Sequence, residues 1–355
     1  MRLSLMFAGG GGMTVHDMVQ LAVEAEDAGA DGVFLPEAWR SSFVSVTAIA
    51  AATERIEIGP YVLNAHAHSP LFTGIAAVDL DEFSGGRLVL GVGSGNRVTN
   101  EQYQGIPVVR PLAKMRDYVD VLHRVTSAGT GERVDHEGVV HSTRGWHAQV
   151  QPVRPRIPVV LAATSPRMTQ LAAEVADGVA LGSLLGVDHL RRLRGAELAA
   201  TAPDFRVMAS AFLAVDDDRD RARRAARSAV VNLFAGKPHP HYDSLLRQQG
   251  HADVADAIHG AVGADDIEAA HRAVSDDVLD ELTICGTVDE CLAGIDRYRG
   301  AVSDLILVNA SGMRYQEGDE AVGTAGEQLV ASFAPIMDLL RAARGHGRGR
   351  ATTGG

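Results

Sequence analysis

The sequence has few of the residues that mark several common functional classes. It contains two cysteines in 355 residues, and 5% of its residues are aromatic. Cys285 and Cys291 have neither the spacing of a CxxC pair nor that of a zinc set, so we expect reduced, structural thiols. No apolar run approaches transmembrane length, and the start MRLSLMFAGG lacks the features of a signal peptide. We therefore expect a cytoplasmic protein with no membrane partner.

Basic residues are fewer than acidic ones, and lysine is rare. The formal net charge is -12, and Lys114 and Lys237 are the only lysines. Binding to a phosphate backbone requires a basic face, so the charge balance argues against nucleic acid as a partner. We expect the partner to be a small-molecule substrate.

The sequence contains no HExxH, GxSxG or Walker motif, so zinc proteolysis, esterase chemistry and P-loop phosphoryl transfer have no support. Two histidine pairs, His66 with His68 and His239 with His241, are the only local hints of a metal. Neither pair has carboxylates at ligand spacing. We therefore expect no metal site.

Apolar strands and amphipathic helices alternate along most of the chain. The predicted strands cover 2–8, 31–37, 55–64, 87–94, 159–163, 177–182, 205–215 and 303–309. The predicted helices cover 14–28, 44–53, 70–83, 112–127, a segment from about 166, 188–200, 218–234, 288–298 and 325–344. Two of them begin with capping-box patterns, at Thr14 with Asp17 and at Thr287 with Glu290.

Eight strands that alternate with helices favour a closed (β/α)8 TIM barrel over an open doubly wound sheet. Continuous apolar strands such as LVLGVG and DLILV indicate burial on both faces, as a parallel sheet requires. We expect a single barrel domain over 1–344, with two excursions at about 130–157 and 236–283. The Gly/Arg-rich tail, 345–355, has no apolar residues to pack, and we expect it to be disordered.

Unusual residues follow several predicted strands, at the edge where α/β folds bind ligands. The stretch GVGSGN at 91–96 has Asn96 where a dinucleotide fingerprint needs its third glycine, so close approach of the backbone to a ligand fits it better. Glu37, in the apolar context VFLPEAW, fits a general acid or base as well as it fits a solvated loop acid.

The stretch TSPR at 164–167 places Ser165 at a helix N-cap and Pro166 at the first helical position. Taken alone, it is typical both of an ordinary capped helix and of a phosphate site at a helix N-terminus. The small residues Gly182 and Ser183 at the next strand end favour the phosphate site, because backbone amides there can face the same anion.

Five segments of the sequence resemble the luciferase-like monooxygenase superfamily, and within it the coenzyme F420-dependent oxidoreductase branch. That branch includes methylenetetrahydromethanopterin reductases and F420-dependent glucose-6-phosphate dehydrogenases. The segments are VFLPEAW, TAIAAATERIEIGPYVLNAHAHSP, AVDLDEFSGGRLVLGVGSGN, IPVVLAATSPRMTQLAAEVADGVALGS and CGTVDECLAGIDRYRGAVSDLILV. The resemblance covers most of the predicted barrel and leaves the two excursions unassigned. It implies a TIM barrel that transfers hydride between F420 and a small organic substrate, and it also implies a homodimer.

The resemblance also assigns a cofactor site. It implies a bulge with a non-proline cis bond between Tyr61 and Val62, which supports the cofactor ring, and a polar contact from Asn64. It implies that Gly93, Ser94 and Asn96 line the ring or the ribityl chain. It places the cofactor phosphate against Thr164, Ser165, Arg167, Gly182 and Ser183.

One residue departs from the family pattern. Relatives carry an acid–histidine pair at the end of strand two, and here Glu37 is followed by Ala38. Glu37 can act alone, or the proton can come from His66, His68, His141 or His147; we name Glu37 and His66 as the candidate catalytic residues. Trp39 fits a wall of the substrate pocket, or else a place in the core.

Two alternative functions remain open at this point. One keeps the fold and replaces F420 with FMN, as an FMNH2-dependent monooxygenase. The other is a non-catalytic barrel that only binds a flavin or deazaflavin, an alternative that the loss of histidine at Ala38 favours.

Overall fold

The structure is a computed structural model, and it describes residues 1–7, 10–234, 240–311 and 326–351. Strands and helices alternate through most of these residues. Within this part of the chain, no helix is both long enough and apolar enough to cross a membrane.

The structure contains twelve strands in the described residues, most of them short. They are β1 (Arg2–Met6), β2 (Gly32–Leu35), β3 (Glu57–Pro60), β4 (Leu63–Asn64), β5 (Leu90–Gly93), β6 (Arg133–Glu137), β7 (Ser142–His147), β8 (Val159–Ala162), β9 (Gly178–Leu181), β10 (Arg206–Val215), β11 (Ile284–Gly286) and β12 (Asp304–Asn309).

The helices cluster between the strands and in the second predicted excursion. They are α1 (Val15–Ala28), α2 (Ser42–Ala52), α3 (Pro70–Phe83), α4 (Pro111–Ser127), α5 (Pro166–Val175), α6 (Val187–Gly195), α7 (Arg219–Asn232), α8 (Pro240–Gln248), α9 (Ala252–Gly263), α10 (Ile267–Ala273), α11 (Asp276–Leu282), α12 (Val288–Asp296), α13 (Gly326–Ala331) and α14 (Ala334–Ala351). A short π-helix covers Thr99–Tyr103.

Local sequence signals account for many helix boundaries. Both predicted capping boxes form: Thr14 caps α1 together with Asp17, and Thr287 caps α12 together with Glu290. Helix α1 ends at Gly29, which has φ 99°, in the left-handed region that glycine adopts at little cost.

The structure differs from the predicted elements in five places. The third strand is interrupted after Pro60, and β11 is an additional short strand that pairs in parallel with β10. The first excursion contains the antiparallel β6–β7 hairpin. The second contains α8 to α11, and it is less polar than expected because Leu246, Ile258 and Leu279 are fully buried. Helix α14 continues through 345–351, where the sequence predicted disorder; 352–355 lie outside the described residues.

The chain divides into two compact units. The first comprises Met1–Asp31, Gly182–Gly195 and Ala209–Gly355. In it, β1 pairs in parallel with β12 in the register Arg2↔Asp304 to Met6↔Val308. An apolar cluster that includes Phe212, Val230 and Leu279 fills the space between α7 and the helices of the second excursion.

The second unit comprises Gly32–Leu181 and Ala196–Met208. Its strands pair in parallel, β2 with β3, β4 with β5, β5 with β8, and β8 with β9. An isolated bridge between Ile58 and Leu88 links β3 to the segment before β5. Helix α4 packs on the β6–β7 hairpin through a small apolar cluster that includes Val121, Val125 and Val134. All predicted site residues except Gly182 and Ser183 lie in this unit.

Glycines let the interrupted strand approach β5 closely. A Cβ added at Gly59 would lie 1.9 Å from the Val89 carbonyl oxygen, and one added at Gly91 would lie 2.3 Å from the Pro60 carbonyl oxygen. At Gly93 an added Cβ would lie 2.8 Å from Val62 Cγ2. No side chain fits at these positions, so the glycines of the strand-five motif set the position of the 60–62 segment.

We expect Gly91→Ala to lower the free energy of unfolding by about 1–3 kcal/mol, because the new methyl group collides with backbone that has little room to move. Urea denaturation of the purified variant measures the change. Gly260→Ala is the matched control: the site lies on the exposed side of α9 with no heavy atom within 4 Å, and a gain of up to about 1 kcal/mol is expected there. Equal midpoints for Gly91→Ala and the wild type would contradict this account of the glycine.

Candidate active site

Glu37 lies just past the end of β2, and one of its carboxylate oxygens makes two hydrogen bonds. Its Oε2 atom accepts a hydrogen bond from the Asn64 backbone N–H at 3.0 Å and lies 2.9 Å from His68 Nε2. The carboxylate is largely buried, with 15% of the side chain exposed. Glu37 therefore joins the end of β2 to the loop that follows β4.

His68 is the histidine that contacts Glu37. Its hydrogen bond with Glu37 raises the pKa of the imidazole above the ordinary value of 6.5, against the opposing effect of partial burial. The carboxylate therefore favours the protonated imidazolium form.

The structure does not place His66 on Glu37. The chain turns after β4, where Ala67 N–H donates to the Asn64 carbonyl oxygen, and this turn brings His68 back toward Glu37. His66 is 7% exposed, and neither ring nitrogen has a hydrogen-bond partner. Burial lowers its pKa, and the nearby charge of Lys114 lowers it further, against the opposing effect of the Ser94 backbone. Of the histidines considered from the sequence, His68 is the one that contacts Glu37.

The predicted cis bond is present. Tyr61 and Val62 are joined by a non-proline cis peptide, between β3 and β4. The Tyr61 hydroxyl is buried and donates toward the carbonyl oxygens of Leu181, at 2.7 Å, and Met208, at 3.1 Å. Val62 is half-buried. The Tyr61 side chain thus anchors the bulge, and Val62 lies just before the start of β4.

Asn64 connects the ends of β4 and β5. Its Nδ2 donates to Asn100 Oδ1 at 2.6 Å, its Oδ1 accepts from the His66 backbone N–H, and Asn100 in turn donates to the Ser94 carbonyl oxygen. The side chain is 6% exposed and both of its ends are used within the protein. Asn64 therefore positions the 94–100 loop. Asn100 was missed by the sequence analysis, because it lies in a polar stretch without a recognisable motif.

The predicted ring-lining loop leaves β5 as a tight turn. Gly95 has φ 65°, and a Cβ there would lie 2.5 Å from Asn64 Oδ1. Asn96 Oδ1 accepts from the Val98 backbone N–H at 2.8 Å, which starts the helical turn before the π-helix. Ser94 and Asn96 are half-buried.

The TSPR stretch forms the predicted N-cap. Ser165 Oγ accepts from the Met168 backbone N–H, Pro166 is the first helical residue, and α5 runs for ten residues from it. Ser165 and Arg167 are exposed, and Thr164 is half-buried. In the other unit, a Cβ added at Gly182 would meet no heavy atom within 4 Å, and the buried Ser183 hydroxyl pairs with Ser210 at 2.9 Å.

Solvent exposure distinguishes the remaining residues that the sequence suggested for the site. Trp39 is 76% exposed, which rules out a place in the core. His147 lies at the exposed end of the β6–β7 hairpin, whereas His141 is half-buried, with its ring 5.8 Å from that of Tyr118. His239 lies outside the described residues, and among those described no three or more His, Cys, Asp and Glu side chains form a metal-binding group.

We expect Glu37→Gln to lower the pKa of His68, because a neutral amide no longer stabilises the imidazolium. NMR titration of the His68 ring measures it. Since the folded-state pKa is raised, the pair contributes stability that is fully present below pH 6.5 and is lost as the pH rises through the folded pKa. The stability difference between the variant and the wild type should therefore shrink over that rise.

Glu24→Gln provides the control, because it removes the same charge from an exposed position on α1. It should leave the His68 titration unchanged. An unaltered His68 pKa in Glu37→Gln would show that the pair does not form in solution.

Comparison with known proteins finds relatives among reductases and coenzyme F420-dependent oxidoreductases. It is 30% identical over 328 residues to 5,10-methylenetetrahydromethanopterin reductase of Archaeoglobus fulgidus, covering 88% of this chain and 95% of the relative. It is 27% identical to a putative coenzyme F420-dependent oxidoreductase of Mycobacterium tuberculosis, covering 87% of this chain and 95% of the relative.

The fold is shared with a solved structure, the coenzyme F420-dependent tetrahydromethanopterin reductase of Methanopyrus kandleri. The TM-score is 0.74 at 22% identity, over 94% of this chain and 96% of that one. The predicted TIM-barrel class is thereby confirmed. The family model described as luciferase-like monooxygenase matches residues 3–305. The chain belongs to the luciferase-like monooxygenase family.

Proposed function

We propose that the protein is a coenzyme F420-dependent oxidoreductase that transfers hydride between the cofactor and a small organic substrate. The observation that carries the proposal is the Glu37–His68 pair, at 2.9 Å, beside the Tyr61–Val62 bulge. The Mycobacterium tuberculosis relative is described as a putative coenzyme F420-dependent oxidoreductase, and the chain matches it and the Archaeoglobus fulgidus reductase over nearly their whole length. The proposal also retains a homodimer and a cytoplasmic location as predictions.

The described residues fit a planar cofactor ring at the ends of β4 and β5. The glycines at 91 and 93 keep side chains off β5, and Val62 packs over Gly93 as part of the bulge. The buried His66 ring nearby has two nitrogens without a partner. A backbone surface with few side chains, next to unsatisfied polar atoms, is a suitable place for a ring that carries both apolar and polar edges.

We propose that the cofactor phosphate is held at the start of α5. Thr164 and Ser165 precede that helix and Arg167 lies in its first turn, where the backbone N–H groups carry partial positive charge. Gly182 and Ser183 remain predicted phosphate contacts. The hydroxyl of Ser183 is already hydrogen-bonded to Ser210. The backbone N–H of Ser183 is therefore the group proposed to contact the phosphate.

Bound F420 supplies a carbon centre that carries hydride and does not activate oxygen. The chain's own residues supply position and a proton. Glu37 fixes the His68 ring and favours its protonated form, and the Asn64 N–H fixes Glu37 in turn. His68 is then placed to donate a proton to the substrate during reduction, or to accept one during oxidation. Trp39 extends from the same strand end and is free to cover a substrate.

We expect His68→Asn to lower kcat by about 10²–10⁴-fold while the dissociation constant of F420 stays within twofold, because a proton donor is lost and no cofactor contact is. Anaerobic assays that follow F420 absorbance, with imines, activated alkenes and alcohols as candidate substrates, provide the rates. His147→Asn is the control, since this histidine lies on the exposed hairpin, and it should retain the wild-type kcat.

Two results would contradict the proposal. An unchanged kcat in His68→Asn would remove the histidine from the mechanism. Turnover that requires oxygen and reduced FMN, with no F420-dependent reaction, would favour the monooxygenase alternative.

A further inference from the structure

The segment that precedes α6, residues 182–186, contains a residue in an unfavourable backbone conformation. Leu184 has φ 68°, in the left-handed region that costs free energy for any residue with a Cβ. Arg110 and Asp265 also have positive φ, but both are exposed, whereas Leu184 is fully buried. Such a conformation persists where its surroundings enforce it, and residues of this kind are concentrated at ligand sites.

One side chain from the second excursion binds this segment on both sides of Leu185. Gln249, just after α8, donates from Nε2 to the Leu184 carbonyl oxygen at 2.8 Å and to the Leu245 carbonyl oxygen at 3.0 Å. Its Oε1 accepts from the Gly186 backbone N–H at 2.8 Å. Because the amide uses its donor and its acceptor at once, it fits the segment in one orientation and ties it to the end of α8.

The core fixes Gln249 in turn. Leu184 and Leu246, which are both fully buried, belong to one apolar cluster with Phe212, so the segment and α8 pack on the same core. At the other end of the segment, a Cβ added at Gly186 would lie 2.8 Å from Glu281 Oε1, on α11. All of these residues belong to the first unit. The segment is therefore held by packing and by the Gln249 amide together.

A backbone donor next to Leu184 is left available. Ser183 is 7% exposed and its hydroxyl is bonded to Ser210, but its backbone N–H makes no hydrogen bond to another residue in the described part of the chain. A buried N–H without an acceptor costs free energy, and a bound acceptor removes that cost. There is room for one, since a Cβ added at Gly182 would meet no heavy atom within 4 Å.

We propose that Gln249 is a positioning residue of the cofactor site. It holds the 182–186 segment in the conformation that presents the Ser183 backbone N–H to the cofactor phosphate. The assignment of the phosphate to this N–H rests on the proposed function. Through Gln249, the second excursion supports cofactor binding from behind the segment, because the amide itself is fully used by protein groups.

Equilibrium binding to the full-length protein tests the proposal without turnover. The two probes are the deazaflavin core of F420 with its ribityl chain, with and without the terminal phosphate, and binding is followed by fluorescence. The ratio of the two dissociation constants measures the contribution of the phosphate. We expect the wild type to bind the phosphorylated compound at least about tenfold more tightly, as for a hydrogen bond to a charged group.

Gln249→Met should lower this ratio about threefold or more, because it keeps the side-chain length and loses the three hydrogen bonds that hold the segment. Affinity for the phosphate-free compound should stay within twofold. A loss of stability alone would act equally on both compounds and would leave the ratio unchanged. Gln249→Glu keeps the shape and the acceptor for Gly186 but loses the donor to Leu184, so it should lower the ratio as well.

Gln248→Met is the matched control. Gln248 is the exposed neighbour of Gln249, and its Nε2 donates to Ser244 Oγ at 2.9 Å within α8. The variant should keep the wild-type ratio.

The outcomes separate this proposal from the proposed function. A wild-type ratio in both Gln249 variants, with F420 bound by the wild type, would overturn the positioning role and leave the proposed function standing. Equal affinity of the wild type for the two compounds would overturn the phosphate contact at Ser183 and leave the ring site. Failure of the wild type to bind either compound would contradict the proposed function, and this proposal with it.

Discussion

The candidate site depends on a single carboxylate oxygen. Glu37 Oε2 binds both the Asn64 backbone N–H and the His68 imidazole, so the end of β2, the end of β4 and the loop after β4 share one anchor. The Asn64 side chain extends this anchor to Asn100 and, through it, to the Ser94 carbonyl oxygen. Because these contacts form a connected polar network in a partly buried region, each fixes the geometry of the next.

The glycines beside this network give it room. Gly59, Gly91 and Gly93 allow backbone of β3 and β4 to approach β5 at distances that any Cβ would prevent. The same absence of side chains leaves the ends of β4 and β5 as a surface of backbone, valine and small residues. The motif that resembles a dinucleotide fingerprint therefore serves close packing between neighbouring strands.

The two histidines of the loop after β4 have different surroundings. The hydrogen bond with Glu37 raises the pKa of His68, whereas burial and the charge of Lys114 lower the pKa of His66. Two histidines separated by one residue thus have their pKa values shifted in opposite directions. The proposed function gives His68 the proton.

Much of the fold could be predicted from local signals. The bounds of α3, from Pro70 to Phe83, follow from a proline at the first helical position and an Ala-rich apolar pattern that ends at Ser84. Strand β11 could not be predicted, because three residues between two helices carry no periodicity and only their pairing with β10 defines them. The extent of helix in α8 to α11 was not predicted. These segments are short and amphipathic, so their sequences are polar on average and do not show which apolar residues are buried.

The candidate site was predicted in part. The strand-end positions of Glu37, the bulge and the glycine loop follow from the sequence and its family resemblance. The sequence does not tell which of His66 and His68 contacts Glu37. That contact depends on the turn between Asn64 and Ala67, which has no periodic sequence pattern.

The most direct test of the account is an equilibrium titration of the purified protein with oxidised F420 and, separately, with FMN, followed by fluorescence. We expect F420 to bind with a dissociation constant in the ~1–100 μM range and FMN to bind at least about tenfold more weakly. Tighter binding of FMN than of F420 would contradict the proposal that this chain carries out deazaflavin-dependent hydride transfer.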